Sequence, residues 1–214
     1  MKSFCVIGLG KFGQAVAETL AAAGRQVMII DIDSDKVTAM ADMVTNAVIG
    51  DPTNETVLRA AGVADYECAI VCLNNNINAS ILLTIMLKEM GVKKVVARAM
   101  NDGHRKVLEH IGADQIVFPE QDTGEKLGYM LTKNNITDFV DFSDYKIVEM
   151  VVPEEWHGHS LMELGLRRRY SVNVIAVNLA DGTVTVSPDP DRPFVEGDKI
   201  SVIGSNKDID KLIS

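Results

Sequence analysis

Three glycines, Gly8, Gly10 and Gly13, follow an apolar run, Phe4 to Leu9, and open a segment of helical character. In that setting the first glycine permits a tight turn, the second lets a phosphate approach the backbone, and the third lets helix pack closely on strand. The free N–H groups of such a turn, with the positive end of the helix behind them, make an anion site suited to nucleotide phosphates. Asp31 ends the second apolar run, where a carboxylate accepts hydrogen bonds from ribose hydroxyls and would repel a 2′-phosphate, so NADP is disfavoured. Lys11, inside the glycine loop, can reach terminal phosphates and tilts the reading toward a mononucleotide di- or triphosphate. Asp51, just past the third apolar run, lies where an adenine would rest, or serves as the turn residue before Pro52. Asp33 and Lys36 either join the same pocket or are ordinary exposed residues of the next helix start.

Groups that would make this an oxidoreductase are missing from the pattern. A dehydrogenase needs a substrate domain and a proton-transferring residue beside the nicotinamide. His104 and His110 share one helix but not one face; His157 and His159 flank Gly158 without a cysteine or carboxylate constellation to complete a metal site. No serine sits in a nucleophile elbow, and there is no Walker lysine–serine pair. The three cysteines, Cys5, Cys68 and Cys72, lie among apolar residues and read as reduced core thiols.

The elements that must position these groups alternate. Strand-length apolar runs at Phe4–Leu9, Val27–Ile32, Ala47–Ile49, Ala69–Leu73, Val95–Ala97 and Ile116–Phe118 are continuous rather than alternating, which marks strands covered on both faces. Helices are expected at Phe12–Ala23, at Ser34–Met43 with Ser34 as N-cap, and at Thr53–Ala61, Asn78–Met90 and Asp102–Ile111. A further helix, Gln121–Asn134, ends at Asn134-Asn135. Beyond it come strands at Tyr145–Val152, Asn173–Asn178, Thr183–Val186 and Lys199–Ile203, an Asp181-Gly182 hairpin turn, and one helical stretch, Ser160–Arg169. The expected fold is α/β: a Rossmann-like doubly wound parallel sheet over residues 1–134, then a small α+β domain over 135–214.

A net charge of −9, with acidic residues in excess in both parts, sets net repulsion against a polyphosphate backbone, so no nucleic acid is expected. No apolar run approaches the ~20 residues needed to span a bilayer, and the N-terminus reads as a strand rather than a signal peptide. The expected location is the cytoplasm. Ile81, Leu82, Ile85, Met86 and Met90, with Met100 and Met130, supply more adaptable apolar surface than one sheet face needs, which predicts self-association. Arg167-Arg168-Arg169 is the only basic run of the second domain and follows Leu161, Leu164 and Leu166. It is either a second ligand site or a solvated helix end.

Val6-Ile-Gly-Leu-Gly-Lys-Phe-Gly13, Ile30-Asp-Ile-Asp33, Ala113-Asp-Gln-Ile-Val-Phe-Pro-Glu120, Leu161-Met-Glu-Leu-Gly-Leu-Arg167 and Asn173-Val-Ile-Ala-Val177 together resemble the RCK (KTN) domain over the whole chain. The arrangement is similar to the cytosolic regulatory subunits of bacterial potassium-uptake systems, the Ktr type more than the doubled Trk type. The resemblance implies a non-enzymatic subunit that binds ATP, ADP or NAD(H) and controls potassium transport. It implies dimers assembled into an octameric ring, docked on a membrane-embedded channel subunit. It places Gly8, Gly10, Phe12, Gly13, Asp31, Asp51, Leu73, Asn74 and Arg98 in the nucleotide pocket. Glu120 then matches a carboxylate that helps bind a divalent or sodium ion at paired sites. Ktr subunits commonly carry arginine where Lys11 stands, so the charge is kept but the planar fork is lost. Arg167, Asn173, Val174 and Pro188 match a surface that binds cyclic di-AMP in several Ktr-type subunits. The rival reading is a small NAD-dependent oxidoreductase, weakened by the missing catalytic base.

Overall fold

A computed structural model describes residues 2–73, 76–133 and 135–213, so Asn74 lies outside the described residues. Contacts divide the chain into two compact units, Met1–Glu120 and Gln121–Ser214.

In the first unit six strands, β1 (Ser3–Ile7), β2 (Gln26–Asp31), β3 (Asn46–Ile49), β4 (Cys68–Val71), β5 (Lys94–Arg98) and β6 (Gln115–Val117), form one parallel sheet in the order β3-β2-β1-β4-β5-β6. Five helices follow the first five strands: α1 (Lys11–Ala22), α2 (Ser34–Met40), α3 (Glu55–Ala60), α4 (Ile77–Glu89) and α5 (Asp102–His110). Successive strand side chains divide between two cores. Cys5, Ile7, Met28 and Ile30 pack with Leu58, Leu83, Leu87 and Leu108, while Val6, Val27 and Ile29 pack with Ala17, Val37 and Met40. The continuous apolar runs are thus explained by helices on both faces.

Two helices depart from their expected form. The N-cap of α2 is Asp33, not Ser34: its carboxylate accepts from the N–H groups of Asp35 and Lys36, because Asp33 is the residue whose backbone is still extended (φ −83°, ψ 104°). That helix also ends at Met40, giving way to a 3₁₀ turn at Ala41–Met43. Of the apolar residues expected as surplus around α4, Met86 is buried, Ile81, Ile85 and Met90 are half-buried and Leu82 is exposed, while Leu83 and Leu87 of the same helix belong to the core. All three cysteines are buried and free; burial raises the Cys5 thiol and pushes that of Cys72 up to about 12, so neither is a nucleophile at neutral pH.

Helix α6 (Pro119–Leu131) leads into the second unit, whose contacts begin at Gln121, whereas the composition shift puts a boundary near residue 134. Here β7 (Ile136–Asp141), β8 (Tyr145–Val151), β9 (Asn173–Asn178), β10 (Val184–Val186) and β11 (Lys199–Ser205) form an antiparallel sheet in the order β10-β9-β11-β8-β7. One face packs Val148, Met150, Val177, Ile200 and Val202 against α7 (Leu161–Leu164), α8 (Leu166–Tyr170) and α9 (Asn206–Leu212) through Leu164, Leu166 and Ile209. The stretch 160–169 is two helices rather than one, because Gly165 takes the left-handed conformation (φ +55°) and stops α7 after a Ser160–Glu163 capping box. Among the described residues no helix is long and apolar enough to cross a membrane.

Candidate functional site

The strand order reverses between β1 and β4, and the carboxyl ends there frame the crevice where open α/β sheets take their ligands. Gly8 leaves β1 with φ +99°, and a Cβ added to it would lie 2.9 Å from the Cys72 carbonyl carbon and 3.1 Å from the Leu73 side chain. Leu73, half-buried, thus floors the turn. Gly13 is tighter still: its Cβ would stand 2.0 Å from the Gly8 carbonyl oxygen. Gly10 is the N-cap of α1 and offers no side-chain cap, and the first turn holds no acidic residue. Each of α2 to α5 is instead capped by Asp33, Asn54, Asn76 or Asn101. The N–H groups at the start of α1 are therefore left for an anion. Lys11 stands exposed at its first position, with half-buried Phe12 packed against the core beside it.

Asp31 does more than its spacing implied. One carboxylate oxygen accepts from the backbone N–H of Leu9 at 2.5 Å and the other from Asp33 N–H at 2.9 Å, so the acid holds the glycine loop to the start of α2. No residue type signals the Leu9 contribution, since any residue has that N–H. Asp51 adopts the turn geometry, accepting from Thr53 N–H at 2.8 Å and Thr53 Oγ1 at 2.7 Å, and these bonds hold its carboxyl below the usual range. Asp33 and Lys36 form an ion pair at 2.9 Å that lowers the acid and raises the lysine. Arg98, at the end of β5, is mostly buried and paired with Glu120 in the first turn of α6. Nucleotide-pocket candidates are thus joined in two groups, Gly8–Leu73–Gly13–Asp31 on one side and Arg98–Glu120 on the other.

The histidines do not assemble. His104 is buried, its Nδ1 accepting from Met100 N–H at 3.3 Å, and burial lowers its pKa; His110 is bonded to its own helix through the Lys106 carbonyl. Among the described residues no three His, Cys, Asp or Glu side chains gather as a metal site.

In the second unit a cleft of about 440 Å³ opens where Gly165 separates α7 from α8, lined by Leu161, Leu166, Arg167, Arg168, Asn173 and Val174. Three of the four expected second-site residues therefore share one cavity. Pro188 does not: it lines a separate hollow of about 170 Å³ with Leu179 and Phe194, and Leu161 borders both.

Comparison with known proteins gives a consistent picture. Residues 4–119 match the TrkA-N domain and residues 147–214 the TrkA-C domain. The chain is 40% identical to Ktr system potassium uptake protein C and 37% identical to Ktr system potassium uptake protein A of Bacillus subtilis (strain 168). These alignments cover 99% of this chain and 96% and 95% of those proteins. In fold it is similar to the GsuK channel bound to NAD (TM-score 0.70, 19% identity), covering 100% of this chain and 39% of that one.

Proposed function

The chain belongs to the family of Ktr system potassium uptake proteins built of a TrkA-N and a TrkA-C domain, and from that premise we propose that it is a nucleotide-sensing regulatory subunit of a potassium uptake system. It acts by binding rather than by catalysis, from the cytoplasm, as dimers gathered into an octameric ring on a membrane-embedded channel subunit. The observation that carries the reading is the pairing of an uncapped α1 N-terminus with Asp31, set at the strand-order reversal, while Arg98 waits at the neighbouring strand end. Phosphates take the α1 N–H groups, and the ribose takes the remaining lone pairs of Asp31. Lys11 and Arg98 read the terminal phosphate, which distinguishes ATP from ADP. Arg98 is held by Glu120, so a phosphate that draws Arg98 away frees a carboxylate for a divalent or sodium ion. Because Glu120 lies in the first turn of the helix that runs into the second unit, the charge at this point couples occupancy to the rest of the chain. Only a ligand with unequal affinity for two ring states shifts their populations, and the γ-phosphate provides that inequality.

NAD(H) competes for the same pocket, since Asp31 accepts ribose hydroxyls from either ligand class. Calorimetric competition among ATP, ADP and NADH at one site tests the reading, with ATP expected to displace the others. Asp31→Ala should weaken all three by on the order of 1.5–3 kcal/mol, the value of a charge-assisted hydrogen bond. A wild-type chain that binds none of them removes the proposal.

The cleft at Arg167 is the second ligand site, and cyclic di-AMP its ligand. Two phosphates related by two-fold symmetry fit an isologous contact of two copies, each offering one arginine and the apolar and amide groups of Val174 and Asn173. Titration should saturate at one ligand per dimer and be lost in Arg167→Ala. Pro188 is expected to matter less, given its separate hollow.

A further inference from the structure

Helix α5 opens on a reciprocal cap of uncommon composition. Its N-cap, Asn101, accepts from the His104 N–H at 2.8 Å, and the His104 ring answers across the turn, its Nδ1 accepting from the Met100 N–H at 3.3 Å. In the usual form of such a box the answering group is a glutamate or glutamine, as Glu163 is on α7. Here it is an imidazole, and it is only 2% exposed. Because Nδ1 accepts, the neutral ring keeps its hydrogen on Nε2, which meets no partner among the described residues.

The box closes the turn behind Arg98, the last residue of β5. Ala99 N–H bonds to the Val117 carbonyl at 2.8 Å, which fastens the chain to β6, and the next residue, Met100, is fastened to His104. Two consecutive N–H anchors thus follow Arg98, and the second depends on a group that titrates. A proton on Nδ1 replaces the acceptor by a donor facing the Met100 N–H and puts a charge where water does not reach. The charged groups of the surrounding elements do not offset it. On α4, which packs on α5, Lys88 is bonded to Asp114 and Glu89 is exposed. On β5, Arg98 is paired with Glu120 and Lys94 bonded to Gln115, and β6 carries no charged residue. On α5 itself Asp102 faces Arg105, His110 is bonded to the Lys106 carbonyl, and Lys106 and Glu109 are exposed. Burial alone therefore acts on the ring, and it lowers the His104 pKa.

We propose that His104 is a positioning residue for nucleotide binding: its neutral ring holds the β5–α5 turn, and with it Arg98, in the arrangement that meets the terminal phosphate, and a proton on the ring releases that arrangement. This rests on the nucleotide reading, in which Arg98 contacts the phosphate. A pKa lowered in the fold means that the bond is complete above the ordinary histidine value of about 6.5 and is lost as pH falls through the folded value. A carboxylate in the same place would stay ionised across this interval, so the imidazole makes the turn answer to mild acid.

The full chain is titrated with ATP by calorimetry at pH 7.5 and pH 5.5, as wild type and as His104→Gln, whose side-chain carbonyl accepts at either pH. The phosphates of ATP titrate alike against both proteins, so the comparison isolates the ring. Across this interval the affinity of wild type should fall about fourfold more than that of the variant. Hydrogen exchange of wild type, corrected for the intrinsic rate at each pH, should show residues 99–104 losing protection over the same interval. Equal falls in the two proteins overturn the proposal. Protection at 99–104 that is unchanged at pH 5.5 also overturns it, and this readout decides alone where the variant does not fold. Wild type that binds no ATP at pH 7.5 overturns the nucleotide reading itself.

Discussion

Gly13→Ala should reduce adenine-nucleotide affinity by at least a hundredfold and lower the stability of the first unit by roughly 2–3 kcal/mol, as forced overpacking does. The added methyl would sit 2.0 Å from the Gly8 carbonyl oxygen, and that neighbour is backbone, which has no rotamer to move to. Either α1 shifts outward or the β1–α1 turn opens, and both displace the N–H groups proposed to take the phosphates. Because Leu9 N–H is bonded to Asp31, opening the turn also releases the proposed ribose acceptor, so phosphate and sugar contacts are expected to fail together. A contrast comes from Gly124 and Gly128 on α6, where an added Cβ meets nothing within 4 Å. Alanine at either should leave the nucleotide site intact and stabilise by about 0.5–1 kcal/mol through helix propensity. Calorimetric titration with ADP and scanning calorimetry check both halves. Wild-type ADP affinity in Gly13→Ala would show that the loop tolerates what its geometry forbids.

The glycine spacing and the continuous apolar runs were legible because each has one physical cause: close backbone approach in the first case, burial on two faces in the second. Where two residues compete for one role, side-chain type does not decide. Asp33 and Ser34 are both good caps, and only the extended backbone at Asp33 settles which one caps α2. The Ser160–Arg169 run keeps apolar residues at helical spacing, yet Gly165 breaks it by adopting a left-handed conformation that helical spacing does not reveal. Strand β7 was hidden by its aspartates, Asp138 and Asp141, and α9 by its brevity, since only Ile209 and Leu212 are buried on it. At the site, residue types pointed to side chains such as Asp31 but not to backbone donors such as Leu9 N–H. Pro188 lines the hollow that shares Leu161 with the arginine cleft rather than the cleft itself, a distinction that spacing does not carry.

The second unit carries its own high-stakes group, unforeseen in the sequence. Asp198 has no exposed surface, and its carboxylate accepts from Arg192 Nη1 at 2.7 Å, Arg192 Nη2 at 3.2 Å, Val195 N–H at 3.0 Å and Ala180 N–H at 3.2 Å. One side chain thereby joins the end of the β9–β10 hairpin, the loop between β10 and β11 through Arg192, and the approach to β11. Asp198→Asn should cost about 3 kcal/mol, the scale for breaking a buried charge pair by removing one partner. An amide keeps the shape, but it presents N–H groups to donors and loses the charge opposite the guanidinium. For a unit of this size that loss lowers the melting temperature by roughly 10–20 °C. The same contacts determine a pH dependence. Burial pushes the Asp198 carboxyl upward, but the Arg192 fork and the two backbone N–H groups outweigh it and leave its pKa below the ordinary carboxylate value. A depressed folded pKa means that the stabilisation is fully present above the unfolded value of about 3.9 and is lost as pH falls through the folded one. Scanning calorimetry at pH 7 should therefore show a large gap between wild type and Asp198→Asn for the second unit's transition, and the gap should narrow as the buffer is taken below pH 4. A gap under 2 °C at pH 7, or one that widens in acid, would remove Asp198 from the role of anchor for this unit.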